Sequence, residues 1–441
     1  MKLVALEVSN WMRLNEKCRR RLLLRPARRH AEQRVEEARG ILRQVRKGGD
    51  AALMELTVRL DGVRLESPEV AADEIDAADA AVPAADRAAL DAAIATVGAF
   101  HKAQQRPPVS LQTSPGVFCR QVELPVGAVG LYVPAGSSPL PSTAIMLAEP
   151  ARIAGCRLRV LCTPPRKDGR ADPAVLYVAR RCGVHRVFKL GGAQAIAAMA
   201  FGTQTVPRVH KIFGPGNAWV TAAKQLLATE ADGVAFDLPA GPSEVLIIAD
   251  DSASPEFVAA DLLAQAEHSV EAEVILVATS REHIERVNWH LLRQVEGQRR
   301  RAAIVGSLRN ARAVLVPDLI TAIDVSNRYA PEHLILATRD PEHLLSRVTA
   351  AGSVFLGHWT PEVLGDYCSG ANHVLPTNGY ARCAGGLSLA DFTRRMTVQQ
   401  ATLEGLAQLG PVAERLAILE GLEAHADAVR VRLRAARAVA S

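Results

Sequence analysis

AVGLYVP (128–134), STAIMLAEPARIAG (142–155), RLRVLCTP (157–164), DPAVLYVARRCG (172–183), HRVFKLGG (185–192), AQAIAAMAFG (193–202), KIFGPG (211–216) and NAWVTAAKQLLAT (217–229) follow one another with only loops between them. The first, third, fifth and seventh are short apolar runs that end in glycine or proline, the pattern of buried strands. The others carry apolar side chains at helical spacing. Strands that alternate with helices of about 10–15 residues cannot pair as hairpins and give a parallel sheet covered by helices. A second such run opens near Ser243, with strand SEVLIIAD (243–250), helix SPEFVAADLLAQAEH (254–268) and strand EVILVAT (273–279). HLILAT (333–338) and GSVFLG (352–357) read as further strands. The fold class expected is therefore α/β, with two similar parallel-sheet units.

Helices flank these runs. HAEQRVEEARGILRQVRKGGDAALMELTVRLDG (30–62) has helical periodicity, with Gly48-Gly49 as a candidate C-cap. AADRAALDAAIATVGAFHKAQQ (84–105) is a second helix, stopped by Pro107-Pro108. After about residue 387 the chain reads as helix again, in TLEGLAQLGPVAERLAILEGLEAHADAVRVRLRAARA (402–438).

Composition narrows the function classes. Of 441 residues 49% are hydrophobic and 22% charged, the make-up of an ordinary globular protein of two or three domains. Only 4% are aromatic, so alanine, valine and leucine must fill the core. The 52 basic and 47 acidic side chains leave a charge of +5, and the basic clusters at 17–21 and 299–301 have no interleaved aromatics to stack on bases. Nucleic acid is not an expected partner. Seven scattered cysteines form no CxxC pair, which argues against a disulfide framework or a thiolate zinc site. No apolar stretch reads as a signal peptide or a membrane span, so no membrane partner is expected and the cytoplasm is the default location.

Several loops and side chains could carry chemistry. Gly214-Pro215-Gly216-Asn217 opens like a dinucleotide fingerprint, but Trp219 replaces the third glycine, and taken alone the segment reads better as a tight strand-to-helix turn. Gly191-Gly192 leave free N–H groups at a helix start, which suits an anion. Gln265 and His268 lie three apart near a helix C-terminus, on a helix with Ser254 as N-cap and Pro255 at its first position. They could hold a metal, or His268 could serve the helix dipole. Pro-Glu-His occurs twice. In the second copy Asp340, Pro341 and Glu342 make an ordinary helix start. In the first, Glu332 and His333 stand at the entry to an apolar strand, where a charge is costly without a purpose, and could form a general-base pair. Asp366, in the glycine-rich loop after GSVFLG, is a candidate carboxylate ligand, and His373 a candidate partner for it, though either could instead simply stabilise a turn. His425, on the tail, reads from spacing alone as a surface residue.

Together the segments VGLYVPAGSSPLPST, LGGAQAIAA, KIFGPGNAWV, DLPAGPSEVL, LLAQAEH, NRYAPEHL, GDYCSGANHVLPT and LADFTRRMTVQ resemble histidinol dehydrogenases, over nearly the whole chain. That resemblance implies two incomplete Rossmann-like domains, a helical N-terminal arm (1–28) and a C-terminal dimerisation tail (388–441) that completes the partner's active site. The first domain would be split into 29–131 and 245–387 by the second, 132–244. It also implies zinc held by Gln265, His268 and Asp366, with His425 supplied across a homodimer, and Glu332 and His333 as the two bases. L-histidinol would be contacted by Ser243, Gln265, His268, His333, Asp366, Glu420 and His425, and NAD by Tyr132, Gln194 and Asn217. The implied reaction oxidises L-histidinol through the aldehyde to L-histidine. Cys368, His210 and Gly421 depart from the family's usual alanine, aspartate and arginine. A zinc hydrolase built on the same donors, a relative acting on another primary alcohol and a catalytically silent binding protein remain alternative readings.

Overall fold

The computed structural model describes residues 5–25, 31–135, 138–230, 233–238 and 241–440. Numbered along the chain, its strands sort into three sheets. A six-stranded parallel sheet has the order β1 (Glu7–Asn10), β11 (Arg312–Leu315), β10 (Glu273–Ala278), β9 (Glu244–Ala249), β12 (His333–Ala337) and β13 (Ser353–Leu356). A five-stranded parallel sheet runs β6 (Arg186–Lys189), β5 (Leu158–Thr163), β4 (Ala128–Tyr132), β7 (Lys211–Phe213) and β8 (Ala235–Phe236). A small antiparallel sheet joins β14 (Thr393–Ala401), β3 (Val117–Pro125) and β2 (Val109–Ser114). The chain thus begins in the six-stranded sheet, builds the five-stranded one, and returns.

Both parallel sheets are covered on each face at their centres, which is why β9, β10, β12 and β4 are buried at every position rather than at alternate ones. Val245, Ile247 and Ala249 of β9 enter one core, while Leu246 and Ile248 enter the core on the opposite face. In β4, Val129 and Leu131 face one core and Ala128 and Tyr132 the other. Each fully buried Val, Leu or Ile contributes roughly 1.5–3 kcal/mol. Leu42, Val45, Leu53 and Leu56 of the helix Ala31–Asp61 join the second of these cores.

The α/β class holds, and three local readings need correction. The N-terminal segment is not wholly helical, since Glu-Val-Ser-Asn adds β1 as an edge strand. The segment after residue 387 is not helical from its start, because β14 precedes the helices Leu403–Leu419 and Glu423–Ala440. Gly48-Gly49 ends a helix as expected: Gly49, at φ 53° and ψ −135°, is non-helical, and a second helical segment resumes directly after it within Ala31–Asp61. Asp366 lies in the short helix Glu362–Tyr367 rather than in a loop. Among the described residues no helix is long and apolar enough to cross a membrane, and all seven cysteines are free.

Candidate active site

A cavity of about 770 Å³ opens between the two parallel sheets. The five-stranded sheet contributes Pro134 beyond β4 and Pro215, Gly216 and Asn217 beyond β7, so it presents its carboxyl edge, as ligand-binding α/β sheets do. The six-stranded sheet presents the opposite edge. Ser243 precedes β9, and Glu332 and His333 stand at the entry to β12. The cavity therefore meets the carboxyl edge of one sheet and the amino edge of the other. The Gly214 turn is tight: Gly214 has φ 122°, and a Cβ there would collide with the Tyr132 carbonyl.

Glu332 and His333 are both buried, and both are held by the backbone of Glu244 on the neighbouring strand. The Glu244 N–H donates to Oε2 of Glu332 at 2.8 Å, and the Glu244 carbonyl oxygen lies 3.1 Å from Nδ1 of His333. A carbonyl only accepts, so Nδ1 carries the proton and Nε2 keeps its lone pair. Nε2 is buried, has no hydrogen-bond partner, and lies 3.6 Å from Oδ1 of Asp366. Burial lowers the His333 pKa to about 4 against the opposing pull of Asp366, so the ring is neutral at ordinary pH. Burial pushes the Glu332 carboxyl well above the usual carboxylate range, and the charges of Glu244 and Asp366 add to that.

The metal candidates converge in part. His268 follows the helix Pro255–Ala266; its Nδ1 lies 3.2 Å from the Ala264 carbonyl oxygen and its Nε2 3.9 Å from Oδ2 of Asp366. Ser254 occupies the N-cap position of that helix but its side chain makes no cap bond. Gln265 is fully buried, and neither its amide oxygen nor its nitrogen has a partner in the protein. An unmet buried amide costs about 1–3 kcal/mol, so a ligand for that oxygen would relieve a real penalty. Amide oxygen, imidazole nitrogen and carboxylate oxygen together form a donor set suited to a borderline divalent ion. Asp366 is set by close packing: a Cβ on Gly365 would sit 2.6 Å from Cε1 of Phe355, so glycine lets the short helix lie against β13. His373 meets Asp366 through the backbone, with Nδ1 2.7 Å from its carbonyl oxygen.

The remaining expected residues are more dispersed. Asn217 lines the cavity and caps the helix Ala218–Ala228, its Oδ1 accepting from Trp219 and Val220 at 3.1 Å. Tyr132 is buried, and its hydroxyl accepts from Gly192 N–H at 2.9 Å. Gln194 is buried with its Nε2 donating to Asp61 at 3.2 Å and its Oε1 unpartnered. Glu420 and His425 are exposed on the tail and do not line the cavity within one chain.

The profile of the family described as histidinol dehydrogenase matches residues 24–433. The chain belongs to the histidinol dehydrogenase family. The curated histidinol dehydrogenase of Xylella fastidiosa (strain 9a5c) is 52% identical over 97% of this chain and 99% of its own length. That of Vibrio parahaemolyticus is 47% identical over 96% and 97%. A crystal structure of histidinol dehydrogenase from Elizabethkingia anophelis superposes with a TM-score of 0.93 at 41% identity, covering 98% of both chains.

Against this histidinol dehydrogenase frame, three side chains at the site escaped the sequence reading. Glu362 is buried with both carboxylate oxygens unpartnered, and Oε1 lies 3.6 Å from Nδ1 of His333. Burial pushes its pKa well up, and Asp366, Glu332 and Asp261 push the same way. Among the described residues, one ligand atom each from His333, Glu362 and Asp366 fall within 4.8 Å of one another. In sequence Pro361-Glu362 is an ordinary helix start, so nothing local marks it. The other two are Glu244, whose backbone bonds Glu332 and His333, and Arg25, whose guanidinium bonds the Glu244 carboxylate. Glu244 could have been noticed as a charge opening the apolar run EVLIIA, the same signal that marked Glu332.

Proposed function

We propose that this chain is a zinc- and NAD-dependent enzyme that oxidises L-histidinol to L-histidine through the aldehyde, as a cytoplasmic homodimer. The observation that carries the reading is the pairing of a neutral imidazole with a free Nε2 and a buried carboxyl, both hung from Glu244 beside Asp366 at one cavity wall. The reaction consumes two NAD. The alcohol loses a hydroxyl proton and a hydride to give the aldehyde; water adds, and the hydrate loses a second proton and hydride to give the carboxylic acid.

His333 suits the first proton transfer, because its Nε2 lone pair is available and its Nδ1 proton is fixed by Glu244. Glu332 suits the second, since a buried carboxylate with a raised pKa is a competent base for the attacking water. Gln265, His268 and Asp366, with His425 of the partner subunit, would hold zinc, which supplies an electrostatic grip on the amine and imidazole nitrogens of the substrate. Ser243 and Glu420 would complete substrate binding. NAD, along Tyr132, Gln194 and Asn217, supplies the hydride acceptor. An absorbance trace of NADH formation with L-histidinol tests the reading: two NADH per histidinol are expected. No NADH from zinc-loaded protein would overturn it.

A further inference from the structure

Arg25 belongs to the N-terminal segment, 219 residues before Glu244, yet its guanidinium forks onto the Glu244 carboxylate. Nε lies 2.5 Å from Oε1 and Nη2 2.7 Å from Oε2. The same Nη2 donates to the carbonyls of Tyr329 at 3.2 Å and Ala330 at 3.3 Å, and the guanidinium stands 4.0 Å over the Tyr329 ring. Arg25 therefore touches both backbone segments that carry the bases. One is Glu244, whose N–H and carbonyl bind Glu332 and His333. The other is the corner that leads through Pro331 into Glu332.

That corner is strained. Ala330 adopts φ 55° and ψ 71°, a left-handed conformation that costs an ordinary residue roughly 1–2 kcal/mol. Arg25 and Arg382, which also bonds the Tyr329 carbonyl at 3.4 Å, hold it from two sides. The Glu244 carboxylate is 1% exposed and also accepts from the Asn378 N–H at 2.8 Å, so its place is fully specified only while Arg25 is there.

We propose that Arg25 is a positioning residue for the base pair: by gripping Glu244 and the Tyr329–Ala330 corner together, it fixes the two backbone segments from which Glu332 and His333 are hung. The inference rests on the roles proposed above for those two residues. Bases displaced by about 1 Å lose up to about 10²-fold in rate without weakening substrate binding, because their contribution is made in the transition state.

The test is steady-state kinetics on the zinc-loaded full chain with Arg25→Lys and Arg25→Met, beside thermal melts. Lysine keeps the charge and the fold, but its single ammonium cannot reproduce the fork and both carbonyl bonds. The kcat should fall about 10-fold for Arg25→Lys and about 100-fold for Arg25→Met. The KM for L-histidinol should stay within about twofold, as expected when only transition-state interactions are lost. Added guanidinium ion should restore part of the kcat of Arg25→Met and leave wild type unchanged. Because Arg25 also lines the cavity, a raised KM with unchanged kcat would make it a substrate-binding residue and overturn the inference. An active wild type beside equally active variants would overturn the inference alone. A wild type inert on histidinol would overturn the proposed function and this inference with it. If Arg25→Met does not fold, Arg25→Lys decides.

Discussion

The backbone of Glu244 binds His333 through its carbonyl oxygen, 3.1 Å from Nδ1, and so dictates which ring nitrogen carries the proton and which keeps its lone pair. His333→Asn keeps a hydrogen bond to that carbonyl but removes the basic Nε2. Turnover should fall by roughly 10²–10⁴-fold, the usual value of a positioned base. In Glu332→Gln, oxidation of the aldehyde should suffer more than oxidation of the alcohol. Counting NADH per histidinol separates these cases: two for wild type, approaching one for the glutamine variant. Equal loss of both half-reactions would reject the division of labour between the two bases.

Removing metal should abolish turnover, and zinc should restore it. Gln265 makes a second readout available, because its buried amide has no partner in the protein. Chelator-treated protein should therefore melt at lower temperature than zinc-loaded protein, since a ligand bound only by the folded state stabilises it. Unchanged melting and unchanged activity after metal content has been shown to be nil would remove zinc from the reading.

Glu420 and His425 do not line the cavity within a single chain, so the role proposed for them there requires another copy. Asp366→Asn and His425→Asn homodimers should each be nearly inactive. In a mixed dimer one site collects both lesions while the other has none. Random co-refolding makes about half of the dimers mixed, so about a quarter of wild-type activity should return. Mixtures that stay inactive although mass spectrometry shows mixed dimers would place His425 outside the site.

His283, in the helix Arg281–Gln294, is fully buried with neither ring nitrogen bonded. Burial lowers its pKa, Arg286 adds to the shift, and Asp251 and Asp250 oppose it. The unfolded chain, with a value near about 6.5, therefore takes up the proton first as pH falls. Stability tied to this group is complete above about 6.5 and is lost below it. His283→Leu removes both the titration and two unmet polar atoms. Between pH 7 and pH 5 the melting temperature of wild type should drop further than that of His283→Leu. Parallel curves would reject the assignment.

The parts of the fold legible in sequence are those buried on both faces. EVLIIA and EVILVA are apolar at every position because helices cover both sides of the sheet, and such runs announce themselves. The strands β1, β2 and β14 are partly or wholly exposed and read as polar segments; EVSN becomes a strand only because β11 offers it an edge. At the site, Glu332 and His333 stood out as charges opening an apolar strand. Glu362 did not, since only the fold brings a routine helix-start glutamate to within 3.6 Å of His333. Glu420 and His425 carry no local signal, and resemblance alone singled them out.

The register of β1 has a bearing on how the molecule is made. Glu7 pairs with Arg312, and on a ribosome adding about 5–20 residues per second the roughly 300 residues between them take about 15–60 s to appear. Within that interval the five-stranded sheet, from Ala128 to Phe236, is synthesised in full and can close by itself. The earliest strand out of the tunnel must wait for β11, the fourth strand of its own sheet in chain order. Arg25 follows that strand and its Tyr329 and Ala330 partners emerge later still, so the grip on Glu244 and the corner before Glu332 is completed only after 330 of the 441 residues have been made.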